Sequence, residues 1–255
     1  MFSPRPLPLR TLCATVLFSC CGASSVRLYR SPSGLAALPW ATAHAKHFRT
    51  LDILGFPPSG LWNEQQYVRE ITRDAATVFG IWNDEDDALV AFACSEQVLD
   101  ETHMLSLTVH PSWRGCGLAR TLVLATLWEA RAAGQTLVTL EVRESNEAAI
   151  RLYESCGLHL IGRRRRYYRE PSEDALLLAR HFVDGNDGGG AATDGASDAS
   201  LLDGDGSLDA LISAAPAGMA IRRAAVGDVG GSDTEMMHGE LLGQVPILAV
   251  GGGVM

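Results

Sequence analysis

The sequence predicts an α/β layered domain spanning residues 51–183, flanked by two segments of different character. Charge is the first observation behind this. Residues 1–50 carry six basic side chains and no acidic one. Residues 51–183 carry 13 basic and 19 acidic side chains, and residues 184–255 carry 2 and 11. Hydrophobic periodicity is the second: within 51–183, runs with the two-residue period of strands interleave with runs of helical period. Glycine is the third, with 16 of the 26 falling in 184–255, where too little apolar surface remains to offset chain entropy. The composition also excludes function classes. No run of about 20 apolar residues exists for a multi-pass membrane protein, and an acidic middle and tail disfavour a general nucleic-acid binder.

The elements follow in order. Leu51 to Phe56 is apolar and ends at Pro57-Pro58. Asn63 can cap a helix from Glu64 to Asp74, with Tyr67, Val68 and Ile71 on one face. Thr77 to Trp82 is a β-branched and aromatic strand. Asn83 to Asp87 is a solvated turn, and Ala88 to Leu99 is the returning strand of a hairpin. In Met104 to Val109, Leu105, Leu107 and Val109 alternate with Ser106 and Thr108, the period of a half-buried strand, which His110-Pro111 ends. A helix from Leu118 buries Leu122, Ala125 and Ala132 and stops at Gly134. Thr136 to Val142 is a strand, Asn146 to Ser155 a second helix stopped at Gly157, and Leu158–Ile161 and Ala175–Phe182 are the closing strands. The run Arg163–Arg166 and Tyr167-Tyr168 lie between those strands.

The ends read differently. Arg5 and Arg10, a weakly apolar stretch from Thr11 to Ala23, then an acid-free Ser25–Arg49 rich in Arg, Ser and Ala predict a targeting leader over 1–50. The pattern fits two-step import into a plastid. A mitochondrial transit peptide is the alternative, secretion the third choice. Residues 184–255 predict a disordered acidic Gly/Ala/Asp-rich tail. The six cysteines lack the paired spacing of a zinc site, no metal is expected, and Cys94, Cys116 and Cys156 are expected as free thiols.

The turn Arg114-Gly115-Cys116-Gly117-Leu118-Ala119 joins a strand to a helix. Small residues there let a ligand approach the backbone, and the free N–H groups and helix dipole favour a pyrophosphate. It is neither a Walker A loop nor a dinucleotide fingerprint. A tight turn alone would also explain it, and Cys116 reads as a small turn residue rather than a nucleophile.

Arg114-x-x-Gly117-x-Ala119, after Leu105 to Pro111, resembles the acetyl-CoA motif of the GNAT N-acetyltransferases. Leu140-Glu141-Val142-Arg143-Glu144-Ser145-Asn146, continuing through Ala149-Ile150-Arg151-Leu152-Tyr153-Glu154-Ser155-Cys156-Gly157, resembles the family's second motif almost residue for residue. With Arg-Arg-x-Tyr-Tyr behind it, the pattern is similar to the RimI-type ribosomal-protein N-alpha-acetyltransferases. Trp62-Asn63-Glu64 resembles the family's Trp-Ser-Glu element, and Glu173-Asp174-Ala175 its last strand entry. The resemblance covers about residues 61–182. The family's opening strand finds no clear counterpart in 40–60, where Ala41 to Phe56 reads as the first helix alone, and Leu158 stands where Phe is more usual.

The resemblance implies a GNAT fold: a mixed, mostly antiparallel sheet, splayed at its centre, with flanking helices. It implies acetyl-CoA as co-substrate and a protein N-terminal α-amine as acceptor, a ribosomal protein for instance, with no nucleic acid or membrane partner. Lysine or a small amine as acceptor, and a non-catalytic acetyl-CoA-binding adaptor, are the alternatives. Glu141 is then the general base and Tyr153 the general acid. Backbone amides of Leu107, Thr108 and Val109 would polarise the thioester. Arg114, Gly115, Cys116, Gly117, Leu118, Ala119 and Arg120 would hold the pyrophosphate, with Asn146 touching the cofactor. Without the resemblance, Glu141 could be an ion-pair partner of Arg143, and Tyr153 a core tyrosine. Arg163–Arg166 could be a solvated face or contact an acidic partner, and Tyr167 and Tyr168 could line the peptide channel or pack.

Overall fold

The computed structural model describes residues 25–31, 34–56, 61–182 and 220–223. Strand β1 (Ser25–Arg30) leads through a 3-10 turn into α1 (Leu38–Gly55) and α2 (Glu64–Ile71). Strands β2 (Ala76–Asn83), β3 (Leu89–Val98) and β4 (Glu101–Val109) follow. Then come α3 (Leu118–Ala132), β5 (Leu137–Arg143), α4 (Glu147–Ser155), β6 (His159–Arg169), β7 (Ser172–His181) and β8 (Ala220–Arg223). The strands form one sheet in the order β6-β7-β5-β4-β3-β2-β1-β8. All pairings are antiparallel except β4 with β5 and β1 with β8.

Both faces of the sheet are covered, which is why all eight residues of β2 are buried. On one face α3 and α4 pack Leu118, Leu122, Leu127, Ala149 and Tyr153 against Leu107, Val109, Leu140 and Val142. On the other, α1 and α2 bring Phe48, Leu51, Tyr67 and Ile71 onto Trp82 and Phe92. The Phe48 and Phe92 rings meet edge-on, centroids 4.9 Å apart. Helix α2 begins as a reciprocal capping box. The Asn63 side chain accepts from the Gln66 N–H at 2.9 Å, and the Gln66 side chain accepts from the Asn63 N–H at 2.8 Å.

Two irregularities at the centre position the site. Between β3 and β4 the pairing steps from Cys94↔Ser106 to Ser95↔Met104, leaving Leu105 as the extra residue of a bulge. The parallel pairing of β4 with β5 ends at the same place, with Met104↔Leu140. Beyond it, Leu105–Val109 and Glu141–Arg143 diverge, and this is the splay.

Several expectations are corrected. The predicted leader boundary at residue 50 falls inside α1, and residues 25–30 supply the opening strand that was not recognised. Arg27 of that strand is buried, and Asp84, 3.0 Å away, and Asp87 neutralise it. Residues 1–24, the remainder of the predicted leader, lie outside the described residues. So does the predicted tail, apart from 220–223, which pair with β1. Helix α2 ends at Ile71 rather than Asp74, and the first helix starts at Leu38 rather than Ala41. The Arg163–Tyr168 run, expected between strands, is inside β6. Leu105 does not share a face with Leu107 and Val109: the bulge turns it to the α1–α2 side. Cys94 and Cys156 are free and buried, but Cys116 is disulfide-bonded. Among the described residues no helix is long and apolar enough to cross a membrane, and no three potential metal ligands cluster.

Candidate active site

The splay ends against a cavity of about 300 Å³. It is lined by Val109, Trp113, Arg114, Gly115, Gly117, Leu118, Ala119, Arg120 and Leu152. Its floor is the turn into α3. Gly115 and Gly117 stand at φ 75° and 81°, the left-handed region that glycine enters without a side-chain penalty. Gly117 is the N-cap, and no side chain caps the helix. The first intrahelical bond is Thr121 N–H to the Gly117 carbonyl. The amides before Thr121 therefore have no acceptor within the helix, and they meet at the positive end of its dipole. A helix start of this kind can hold an anion such as a pyrophosphate.

Side chains around the turn are engaged elsewhere. Arg114 Nε donates to the Val109 carbonyl at 3.3 Å, and Arg120 Nη1 to Ser155 Oγ at 2.8 Å, tying the start of α3 to the end of α4. Cys116 is buried and is not among the lining residues. The anion site is thus mainly main chain.

Strand β4 forms one wall of the splay. The His110 N–H donates to Val90, on the β3 side. Successive amides of a strand point to opposite edges. The Thr108 N–H therefore faces β3, while those of Leu107 and Val109 face the open edge, where β5 no longer pairs. Of the three predicted amides, these two are available. The Thr108 side chain points to the other layer, its hydroxyl donating to Asp52 at 2.5 Å.

The opposite wall carries Glu141, on β5. Its side chain is 16% exposed and pairs at 3.1 Å with Arg164 of β6, not with Arg143. Arg143 instead binds Glu173 at 3.1 Å and the carbonyls of Pro171 and Glu170 at 3.2 and 3.1 Å. Tyr153 of α4 is buried. Burial, with Cys156 adding, holds its hydroxyl well above the usual tyrosine range, so it keeps its proton. Tyr168 is buried with the Arg143 guanidinium 4.1 Å from its ring centre; it packs. Burial, with Tyr167 adding, holds its hydroxyl well above the usual tyrosine range. Tyr167 is half-buried, under the field of Glu141 and Arg164. Asn146 caps α4: its side-chain oxygen accepts from the Ala149 N–H at 3.2 Å, which fixes the orientation of its amide N–H₂. In the Arg run, Arg163 pairs with Glu144 and Asp174.

Of the residues singled out in the sequence, Val109, Arg114, Gly115, Gly117, Leu118, Ala119 and Arg120 line the cavity, while Glu141 stands on β5 and Tyr153 on α4, neither among the lining residues. Trp113 and Leu152 line the cavity too and were not singled out in the sequence, although Leu152 lies within the second motif. Asp52 was missed as well; a lone acid in the apolar run Leu51–Phe56 was its signal.

Comparison with known proteins gives the family and the fold. The family described as Acetyltransferase (GNAT) family matches residues 47–158. A [ribosomal protein bS18]-alanine N-acetyltransferase of Haemophilus ducreyi is 37% identical over 101 residues, 38% of this chain and 70% of that protein. The protein so named in Salmonella typhimurium is 41% identical over 96 residues, 37% of this chain and 65% of its own length. Among solved structures, the ribosomal-protein-S18-alanine N-acetyltransferase from Escherichia coli superposes with a TM-score of 0.50. It is 27% identical and covers 62% of this chain and 97% of its own.

Proposed function

The chain belongs to the acetyltransferase (GNAT) family and is an N-acetyltransferase; from that premise we propose that it moves acetyl from acetyl-CoA to the α-amine at a protein N-terminus, with a ribosomal protein beginning with alanine as first candidate. The observation that carries this is the splay between β4 and β5 beside an uncapped, glycine-bounded helix start; Glu141 on β5 and a buried phenol that keeps its proton, Tyr153 on α4, support it. The acceptor class is supported by the similarity to two bS18-alanine N-acetyltransferases.

Acetyl-CoA supplies an activated thioester. The amides of Gly115 to Arg120 bind its pyrophosphate, and those of Leu107 and Val109 face the carbonyl on which negative charge develops. Glu141 removes a proton from the acceptor ammonium, directly or through a water, and Tyr153 gives its proton to the departing thiolate. An α-amine, with a pKa of about 8, suits a single carboxylate base. A lysine, near 10.4, costs roughly 3 kcal/mol more to deprotonate at neutral pH.

The test is acetyl-CoA-dependent acetylation by the full chain. The panel contains peptides with free N-termini beginning Ala, Ser, Met or Thr, and N-blocked peptides bearing lysine. Modification of the free N-termini alone, Ala first, is expected; modification of the blocked lysine peptides overturns the acceptor assignment. Glu141→Gln is expected to lower turnover about 10²–10⁴-fold while acetyl-CoA still binds. Unchanged turnover removes Glu141 as the base. Residues 1–24 we read as an organellar leader, to a plastid or alternatively a mitochondrion. The two basic residues and no acid among those residues support this. Import of a fluorescent fusion into isolated organelles tests it.

A further inference from the structure

Strand β4 has an unusual burden. From Leu105 to Val109 it is hydrogen-bonded to a neighbour on one edge only, because β5 stops pairing at Met104. Yet this half-supported stretch presents the two amides that face the cleft. Between them is Thr108, fully buried, with its side chain directed away from the cleft into the α1–α2 layer. There its hydroxyl donates to one oxygen of Asp52 at 2.5 Å, while the Tyr67 hydroxyl donates to the other. Asp52 is 6% exposed, and the Phe48, Trp62 and Phe92 rings surround Tyr67. The carboxylate thus links three elements: α1 carries it, α2 carries Tyr67 and β4 carries Thr108.

We infer that Asp52 is a positioning residue for the acetyl-CoA site: through Thr108 it fixes the rotation of β4, so that the Leu107 and Val109 amides stay directed into the splay. The inference rests on the reading of those amides as the thioester-binding pair. An anchor at Thr108 acts directly on the Val109 amide, which lies in the peptide plane that follows Thr108, and on the Leu107 amide through the rotation of the strand as a whole. Tyr67, on α2, completes the hydrogen bonding of the second carboxylate oxygen and has no hydrogen bond to Thr108 itself. A buried carboxylate costs stability. Packing alone would be met more cheaply by apolar side chains, as the aromatic surroundings show.

Acetyl-CoA binding by the full chain, measured by isothermal titration, with thermal unfolding alongside, tests this. Thr108→Val keeps the shape of the side chain and removes the donor. It is expected to weaken acetyl-CoA binding about fivefold to tenfold, the scale of one ordinary intramolecular hydrogen bond, because only part of the lost bond reaches the cleft through the strand. Thr108→Ser, which restores the hydroxyl, is expected to bind within about twofold of wild type, as is Asp52→Asn, which keeps an acceptor for Thr108. Tyr67→Phe is the control for general softening: its melting temperature should fall while its affinity stays within about twofold. If Thr108→Val binds as wild type does, or if Tyr67→Phe weakens binding equally, the inference is overturned. If wild type itself does not bind acetyl-CoA, the functional reading fails first and the inference with it.

Discussion

Asp52 bears on stability as well as on position. Burial pushes its carboxyl up to about 6, although hydrogen bonds from Thr108 and Tyr67 oppose the shift. A carboxyl whose folded pKa is raised binds its proton more tightly in the fold. Its stabilising contribution is complete below the unfolded value near 4 and is lost as pH rises through about 6. Asp52→Asn removes this loss. The variant is therefore expected to be more stable than wild type at pH 7.5, by on the order of 2–3 kcal/mol, with the gap closing below about pH 4. Denaturant unfolding across that range checks it, and a gap independent of pH would refute it. The residue also shows where sequence reading stopped. Glu141 and Tyr153 stand inside a long motif that singles them out, whereas Asp52 meets its partners 15 and 56 positions away. No local pattern encodes such a meeting.

The β6–β7 hairpin is the edge of the sheet beside Glu141, and Arg143 fastens it. That guanidinium reaches two carbonyls of the turn and Glu173, whose other oxygen takes the Ser145 N–H. Burial alone would raise the Glu173 carboxyl, but Ser145 and Arg143 together hold it below the usual range. A depressed carboxyl stabilises above its unfolded pKa and loses that contribution as pH falls below about 4. Arg143→Ala is expected to lower kcat/KM for the acceptor peptide about tenfold, a loss typical of misplaced positioning groups, while acetyl-CoA affinity changes little. Equal losses on both substrates would count against a role confined to the hairpin. Most elements here were readable from periodicity: β2, β3, α3 and α4 lie within two residues of expectation. The β4 bulge was not, because one extra residue preserves the alternation of Leu105, Leu107 and Val109 while reversing the face of the first. Strand β1 was hidden by its arginines, which read as leader composition until Asp84 and Asp87 are seen to neutralise Arg27.

For the whole molecule, the consequence is that the domain begins well before residue 50. Val26, Leu28 and Tyr29 are buried on β1, and burying each is worth about 1.5–3 kcal/mol. Their sum rivals the net stability of about 5–15 kcal/mol that domains possess. A chain starting at residue 40 is expected to aggregate or unfold, whereas one starting at Ser25 should keep a cooperative melting transition; equal transitions for both would contradict this. Strand β1 also has β8 on its outer side, paired from Ser25↔Ala220 to Leu28↔Arg223. These partners are made far apart in time. At about 5–20 residues per second, the roughly 190 residues between them take about 10–40 s to synthesise. The cleft is complete once β7 is made, so over roughly the last 40 of those residues, about 2–8 s, the new chain carries a complete cleft but an unfinished border, a window in which a chaperone or a neighbouring nascent chain could claim the bare strand before β8 arrives.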